Sequence, residues 1–160
     1  MLRMERVGLK NVDAILKLRV KEGQESFVAS NSDSIIEAYA TVADGGHALP
    51  FGLYDGETPV GFVMIGYDDA ELFDGAPRVA RGNYLIWRLM IDRAWQGRGY
   101  GREALALALD YIRTFPCGWA DCCWLSYEPE NAAARGLYRA FGFVENGEMD
   151  GDEIVAVLKL

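Results

Sequence analysis

The stretch Arg88-Leu89-Met90-Ile91-Asp92-Arg93-Ala94-Trp95-Gln96-Gly97-Arg98-Gly99-Tyr100-Gly101-Arg102 decides how this chain is read. An apolar run, Tyr84–Ile91, has the length and composition of a buried strand. Three glycines in five residues follow, and then a helix. Ala104, Leu105, Ala108, Leu109 and Ile112 recur at the 3,4 spacing of an apolar stripe. The spacing predicts a helix over Gly101–Phe115, stopped by Pro116. The first four N–H groups of a helix have no partner within it, and the helix dipole puts partial positive charge there. Glycines let a diphosphate approach such a backbone without Cβ clashes. The loop is therefore suited to cradle a pyrophosphate, with Arg98 and Arg102 adding charge.

Upstream, Leu2–Arg6 reads as a first strand. Asn11 reads as the N-cap of a helix through Leu18, and Ser32 or Ser34 as the cap of a second through Tyr39. Leu49–Tyr54 and Val60–Tyr67 read as strands around the turn signal Asp55-Gly56. Downstream come a strand Cys122–Tyr127, a helix Asn131–Phe141, and the strands Phe143–Glu148 and Ile154–Leu160 joined at Asp150-Gly151. Seven strands and four helices in this order predict an α+β or α/β mixed sheet with helices on both faces. The 160 residues suit one domain, 1–160.

The composition sets limits on partners. The net charge is −8. Phosphates would be repelled, so neither nucleic acid nor an anionic membrane is expected as a partner. The charge is unevenly placed. Residues 78–113 hold seven arginines against three acids, a net of +4, which leaves −12 on the remainder. The N-terminus has no apolar core of a signal peptide, and no run is long enough to span a membrane, so a cytoplasmic location is expected. Cys117, Cys122 and Cys123 are an odd number without a nearby His. No metal is expected, and Cys122-Cys123 should point to opposite faces of a strand. His47, in Gly45-Gly46-His47, reads as a loop residue.

Which pyrophosphate ligand fits? The Gly-Lys-Ser/Thr of a P-loop is absent. Gly99-x-Gly101-x-x-Ala104 matches the dinucleotide fingerprint, with Glu128 as its ribose acid. However, seven residues separate Ile91 from Gly99, and only 32 follow Glu128, too few for a doubly wound sheet. Gln96-x-x-Gly99-x-Gly101 resembles the acyl-coenzyme A signature of the GCN5-related N-acetyltransferase (GNAT) family. A second segment, Asn131-Ala132-Ala133-Ala134-Arg135-Gly136-Leu137-Tyr138-Arg139-Ala140-Phe141-Gly142-Phe143, resembles that family's Asn-x-x-Ala-x-x-x-Tyr-x-x-x-Gly-Phe.

The resemblance implies roles, residue by residue. The strand Leu89-Met90-Ile91 would pair with the pantetheine arm of acetyl-coenzyme A. The loop from Gln96 and Gly97 through the amides of Arg98, Gly99, Tyr100, Gly101 and Arg102 would hold its pyrophosphate. Asn131 would contact the cofactor arm, and Tyr138 would protonate the departing thiolate. Many relatives are dimers, so a homodimer is an open expectation.

The chemistry requires a proton acceptor. Freeing the lone pair of an alkylammonium at pH 7 costs roughly 4.6 kcal/mol. Glu128, at a strand end three residues before Asn131, is the expected base; Glu22, Glu25, Asp68, Asp69 and Glu71 are further candidates. Gln24–Ala29, Ser34–Tyr39 and Trp87–Asp92 also resemble bacterial diamine (spermine/spermidine) N-acetyltransferases. That resemblance implies a diamine or polyamine such as spermidine or spermine as acceptor; Glu22 and Glu25 would attract its charge, and Phe27 and Trp87 would line its aliphatic chain or make a cation–π contact. Alternatives are another amine (an aminoglycoside, an amino acid or a protein N-terminus), a dinucleotide-dependent oxidoreductase, and a non-catalytic acyl-coenzyme A-binding module.

Overall fold

The computed structural model describes residues 1–160. One seven-stranded sheet runs in the order β1-β2-β3-β4-β5-β7-β6. Its strands are β1 (Leu2–Arg6), β2 (Ala48–Asp55), β3 (Thr58–Tyr67), β4 (Tyr84–Ile91), β5 (Cys122–Tyr127), β6 (Val144–Asp150) and β7 (Glu153–Lys159). The helices are α1 (Val12–Leu16), α2 (Asn31–Ala43), α3 (Tyr100–Ile112) and α4 (Ala132–Ala140). The expected α+β fold with seven strands and four helices is the observed one. A 3-10 turn at Arg78–Ala80, which has no apolar period to betray it, is the one added element.

Every neighbouring pair in the sheet is antiparallel except β4–β5. A doubly wound dinucleotide fold is built on parallel strands, so the sheet removes the oxidoreductase alternative. The parallel pair is also brief. It joins Tyr84 to Cys123 and Leu85 to Trp124, and there it stops. Beyond Leu85 the two strands no longer pair with each other, and a gap opens in the middle of the sheet.

The two faces carry separate apolar cores. On one face α3 buries Ala104, Leu105, Ala108, Leu109 and Ile112 against Val63, Ile65, Ile86 and Leu125. Full burial of each large aliphatic in that stripe contributes about 1.5–3 kcal/mol. On the other face α1 and α2 pack Ile15 and Ala38 against Phe62, Met64 and Met90. Cys123 is buried while its neighbour Cys122 is only half-buried, as alternation across β5 requires; burial pushes the Cys123 thiol well up.

Local boundaries differ from the sequence expectation for identifiable reasons. The cap of α2 is Ser30, whose hydroxyl accepts from the Asp33 amide at 3.0 Å, so neither Ser32 nor Ser34 caps it. Ser34 is drawn inside, donating to the Ser30 carbonyl at 2.9 Å. Asn11 precedes α1 but caps no amide of it; its carboxamide ties Gly8 to Arg6 instead. Helix α3 ends at Ile112, three residues before Phe115, which takes a left-handed φ of 53°. The chain has turned before Pro116 is reached.

Candidate active site

The gap between β4 and β5 continues into a cleft of about 470 Å³. Its walls come from β4, from the loop after it, from the end of β5 and from one face of α4. Leu89, Met90, Ile91, Gln96, Gly97, Gly99, Tyr100, Gly101, Glu128, Asn131 and Tyr138 all line it, as do Phe27 and Trp87. Most residues singled out by sequence are thus brought to one cavity.

The glycine loop presents free donors. Gly97 and Gly99 have φ of 80° and 84°, a left-handed conformation that glycine adopts without strain. Gly99 is the N-cap of α3. The backbone amides from Gly97 through Gly101 donate to no carbonyl of the chain. A Cβ built on Gly97 or Gly99 meets nothing within 4 Å, and one on Gly101 only the Leu137 methyl at 3.8 Å. The space above these amides is open, and side chains would fill it. The loop therefore fits a pyrophosphate. Arg102 is an exception to the expected amide set: its N–H is spent on the Gly99 carbonyl at 3.1 Å.

Arg98 and Arg102 do not line the cleft. Their guanidinium groups lie over aromatic rings at its rim, Arg98 at 4.7 Å from Trp95 and Arg102 at 5.3 Å from Phe141. Neither forms a salt bridge that would hold it there. Gln96 also departs from its expected cofactor contact. Its amide donates to the Ile91 carbonyl at 3.0 Å and to Gln24 Oε1 at 2.8 Å. It fastens the segment after α1 to the end of β4.

Asn131 both caps α4, accepting from the Ala134 amide at 3.2 Å, and lines the cleft. The cap fixes the helix and hence Tyr138, two turns on. The Tyr138 ring lies 5.8 Å from that of Tyr127 and 6.0 Å from Phe143. Its removal from water pushes the phenol up to about 12, and the negative charge of Glu153 acts in the same direction.

Glu22 and Glu25 stand outside this cavity. Both are exposed, and Glu25 accepts from the Gly23 amide. Their neighbours Val20, Gln24, Ser26 and Phe27 line the cleft, while these two glutamates stay on the solvent side of a segment tied at Arg19 to Asp92 and Arg93. Asp68, Asp69 and Glu71 are likewise elsewhere. His47 sits where β2 begins, its amide donating to Asp69 at 2.9 Å.

Two acids that sequence reasoning passed over do reach the cleft. Asp150 and Glu153 close the β6–β7 hairpin, where they pair in register. The β5–β7 ladder sets Ile154 opposite Tyr127 and so brings Glu153 beside Glu128. Desolvation raises the Glu153 carboxyl above its ordinary range, and the charges of Asp150 and Glu128 raise it further. In the sequence these residues read only as a turn; the signal was two acids flanking that turn.

The strand β4 carries a bulge. Met64 pairs with Arg88 and Ile65 with Ile86, so Trp87 is the extra residue. A bulge re-aims side chains. Trp87 is turned onto Phe73, 5.3 Å between rings, and Arg88 onto Glu37 of α2 at 2.8 Å.

The comparisons with known proteins agree with this geometry. Residues 12–143 match the model of the Acetyltransferase (GNAT) family. A spermine/spermidine N(1)-acetyltransferase of Bacillus subtilis is 30% identical over 145 residues, 88% of this chain and 86% of that protein. An N-alpha-acetyltransferase RimI of Mycobacterium tuberculosis is 31% identical over 100 residues, 62% of this chain and 57% of its own. Among solved structures, aminoglycoside acetyltransferase AAC(6')-Ib in complex with coenzyme A superposes with a TM-score of 0.78 at 14% identity, over 99% of this chain and 95% of that one. No helix of the chain is long and apolar enough to cross a membrane. With the family's model spanning most of the chain and its two signatures meeting in one cleft, the chain belongs to the GNAT family and is an acetyl-coenzyme A-dependent N-acetyltransferase.

Proposed function

We propose that the acceptor is a diamine or polyamine, of the kind represented by spermidine and spermine, acetylated on a primary amine by direct attack. The observation that carries this reading is the end of the cleft nearest Tyr138, walled by Glu128, Asp150 and Glu153. The single cation on that wall, Arg88, is already answered by Glu37. An ammonium is attracted there, and the net −12 outside the Arg-rich window favours cationic encounter in general. The Bacillus relative supports the same acceptor class.

Acetyl-coenzyme A supplies the activated acetyl group. The free amides of Gly97–Gly101 would hold the pyrophosphate, with Arg98 and Arg102 adding positive charge at the rim of the same loop. The unpaired edge of β4 at Leu89–Ile91 and the carboxamide of Asn131 align the arm. Glu153 takes the ammonium proton, with Glu128 beside it; a carboxyl raised by burial is a better base for this than a solvated one. As the C–N bond forms and the C–S bond breaks, the attacking nitrogen releases its second proton to solvent, Tyr138 gives its proton to the sulfur, and Tyr138 then regains one from solvent. A phenol near 12 keeps its proton at neutral pH, ready to donate.

An acceptor screen tests the reading. Thiol release is followed with acetyl-coenzyme A and equal concentrations of spermine, spermidine, an aminoglycoside and an N-terminal peptide. Polyamines should show the highest kcat/KM. A peptide or aminoglycoside preferred over both would overturn it.

A further inference from the structure

On the α2 face of the sheet a second cavity, about 250 Å³, adjoins the cleft. Leu85, Trp87 and Asp150 line both. They stand where β4 and β5 cease to pair, so the two spaces meet at the gap in the sheet. The second cavity has five acids on its walls, Glu37, Asp68, Asp69, Asp74 and Asp150, and no Lys, Arg or His. Arg88 answers only Glu37. The partners of Asp68, Asp69 and Asp150 are the Gly82 amide, His47 and the Ser126 hydroxyl, none of which cancels a charge when His47 is neutral. Four negative charges therefore line one cavity, Asp68 and Asp74 from its solvent-exposed side.

Four aromatic residues, Tyr67, Phe73, Trp87 and Trp124, share the remaining walls with small and aliphatic residues. Phe73 keeps 39% of its surface in water while packed edge-on against Trp87. Aromatic faces between carboxylates suit a slender aliphatic chain bearing an ammonium, since methylenes pack on the rings and the cation is attracted to both. An anionic or purely apolar ligand would be excluded by the charge.

We propose that this second cavity holds the distal cation of a linear polyamine while the near amine is acetylated in the cleft, with the aliphatic chain passing Trp87. This rests on reading the acceptor as a polyamine. It makes Phe73, Asp74 and Trp87 determinants of acceptor length rather than of catalysis. Burial raises the Asp69 carboxyl, a cost that an arriving cation offsets.

The test compares acceptors that share an alkyl chain but differ in charge. Asp74→Asn and Phe73→Ala are made singly; neither residue lines the catalytic cleft. KM is measured for spermidine and for n-butylamine, together with kcat and the KM of acetyl-coenzyme A. Binding of fully N-methylated spermine, which cannot be acetylated, is measured by calorimetry. Each variant should raise the KM of spermidine and weaken methylated spermine by about tenfold. The KM of n-butylamine and of acetyl-coenzyme A should stay within about twofold, which also certifies the fold. Unchanged spermidine KM, or equal losses for both amines, overturns the second site and leaves the polyamine reading standing. Wild type that acetylates n-butylamine but not spermidine overturns both.

Discussion

The ring of Tyr138, on α4, lies 5.8 Å from the ring of Tyr127, at the end of β5, with 36° between their planes. This contact joins the helix to the strand edge that bounds the cleft. It holds the ring against the cleft wall without using the hydroxyl for anchoring. Tyr138→Phe should leave the packing in place and remove only the proton donor. We expect kcat to fall about 10²-fold or more, the range for loss of a general acid, with the Kd of coenzyme A changed less than twofold. Unchanged turnover would remove Tyr138 from the reaction.

Glu153→Gln keeps the shape of the β6–β7 hairpin and removes the charge. At pH 7 kcat/KM for the amine should drop by about 10²-fold. The deficit should shrink as the pH approaches the ordinary amine value near 10.4, where the acceptor arrives already deprotonated. A pH-independent deficit would contradict any role of Glu153 toward the ammonium. Glu128→Gln should move the acid limb of the wild-type profile downward, because the Glu128 charge is one cause of the raised Glu153 carboxyl.

The alkaline side follows from the tyrosines. Burial pushes Tyr127 and Tyr138 up to about 12, above the ordinary value of 10.0. Between pH 10 and 12 the unfolded chain has lost these protons and the folded one still holds them. The unfolded state then binds fewer protons, so stability falls as pH rises through that window. The melting temperature should decline from about pH 10 upward, and Tyr138→Phe should flatten the decline. Activity should show no alkaline limb from Tyr138 below about pH 11; one centred near 9 would contradict its burial.

The glycine loop predicts a loss of affinity by filling space. Gly101 has ordinary backbone dihedrals, unlike Gly97 and Gly99, so a side chain there introduces no left-handed strain. Gly101→Glu places bulk and a negative charge over the free amides. Binding of coenzyme A should be lost while the melting temperature of the free protein stays within a few degrees. Retained binding would contradict the anion cradle. Gly99→Glu should lose binding too, with added strain from φ of 84°.

Much of this arrangement was legible in the sequence where a local rule acts. Tyr84–Ile91 and Cys122–Tyr127 are largely apolar strands, interrupted only by Arg88 and Ser126, and their bounds agree with the structure. Asn131 and Tyr138 sit seven apart on one helix face, so their meeting at the cleft follows from helical periodicity. What was not legible depends on tertiary pairing. Glu153 reaches Glu128 only through the β5–β7 ladder, and the bulge at Trp87 needs β3 as its measure. Glu22 and Glu25 had the right charge, but it is their neighbours Gln24, Ser26 and Phe27 that meet the cleft, and both glutamates stay in solvent. Ser30 won the cap of α2 over Ser32 and Ser34 because Ser34 was needed inside.

Gln96 separates motif from mechanism. By its place in the signature it belongs to the cofactor; by its hydrogen bonds it joins Ile91, at the end of β4, to Gln24. The segment it fastens carries Phe27, which lines the cleft. Gln96→Ala breaks both bonds and leaves the free amides of Gly97–Gly101 in place. If Gln96 acts by holding that segment, the KM of the acceptor should rise about three- to tenfold, two lost hydrogen bonds being worth about 1 kcal/mol each at most in a half-exposed setting. The KM of acetyl-coenzyme A should change less than twofold. Gln96→Glu keeps the reach and one acceptor oxygen but loses the N–H donor, so it should behave like the alanine variant. If instead acetyl-coenzyme A binding suffers and the acceptor KM does not, the glutamine faces the cofactor in the working enzyme, and the tie to Gln24 is incidental.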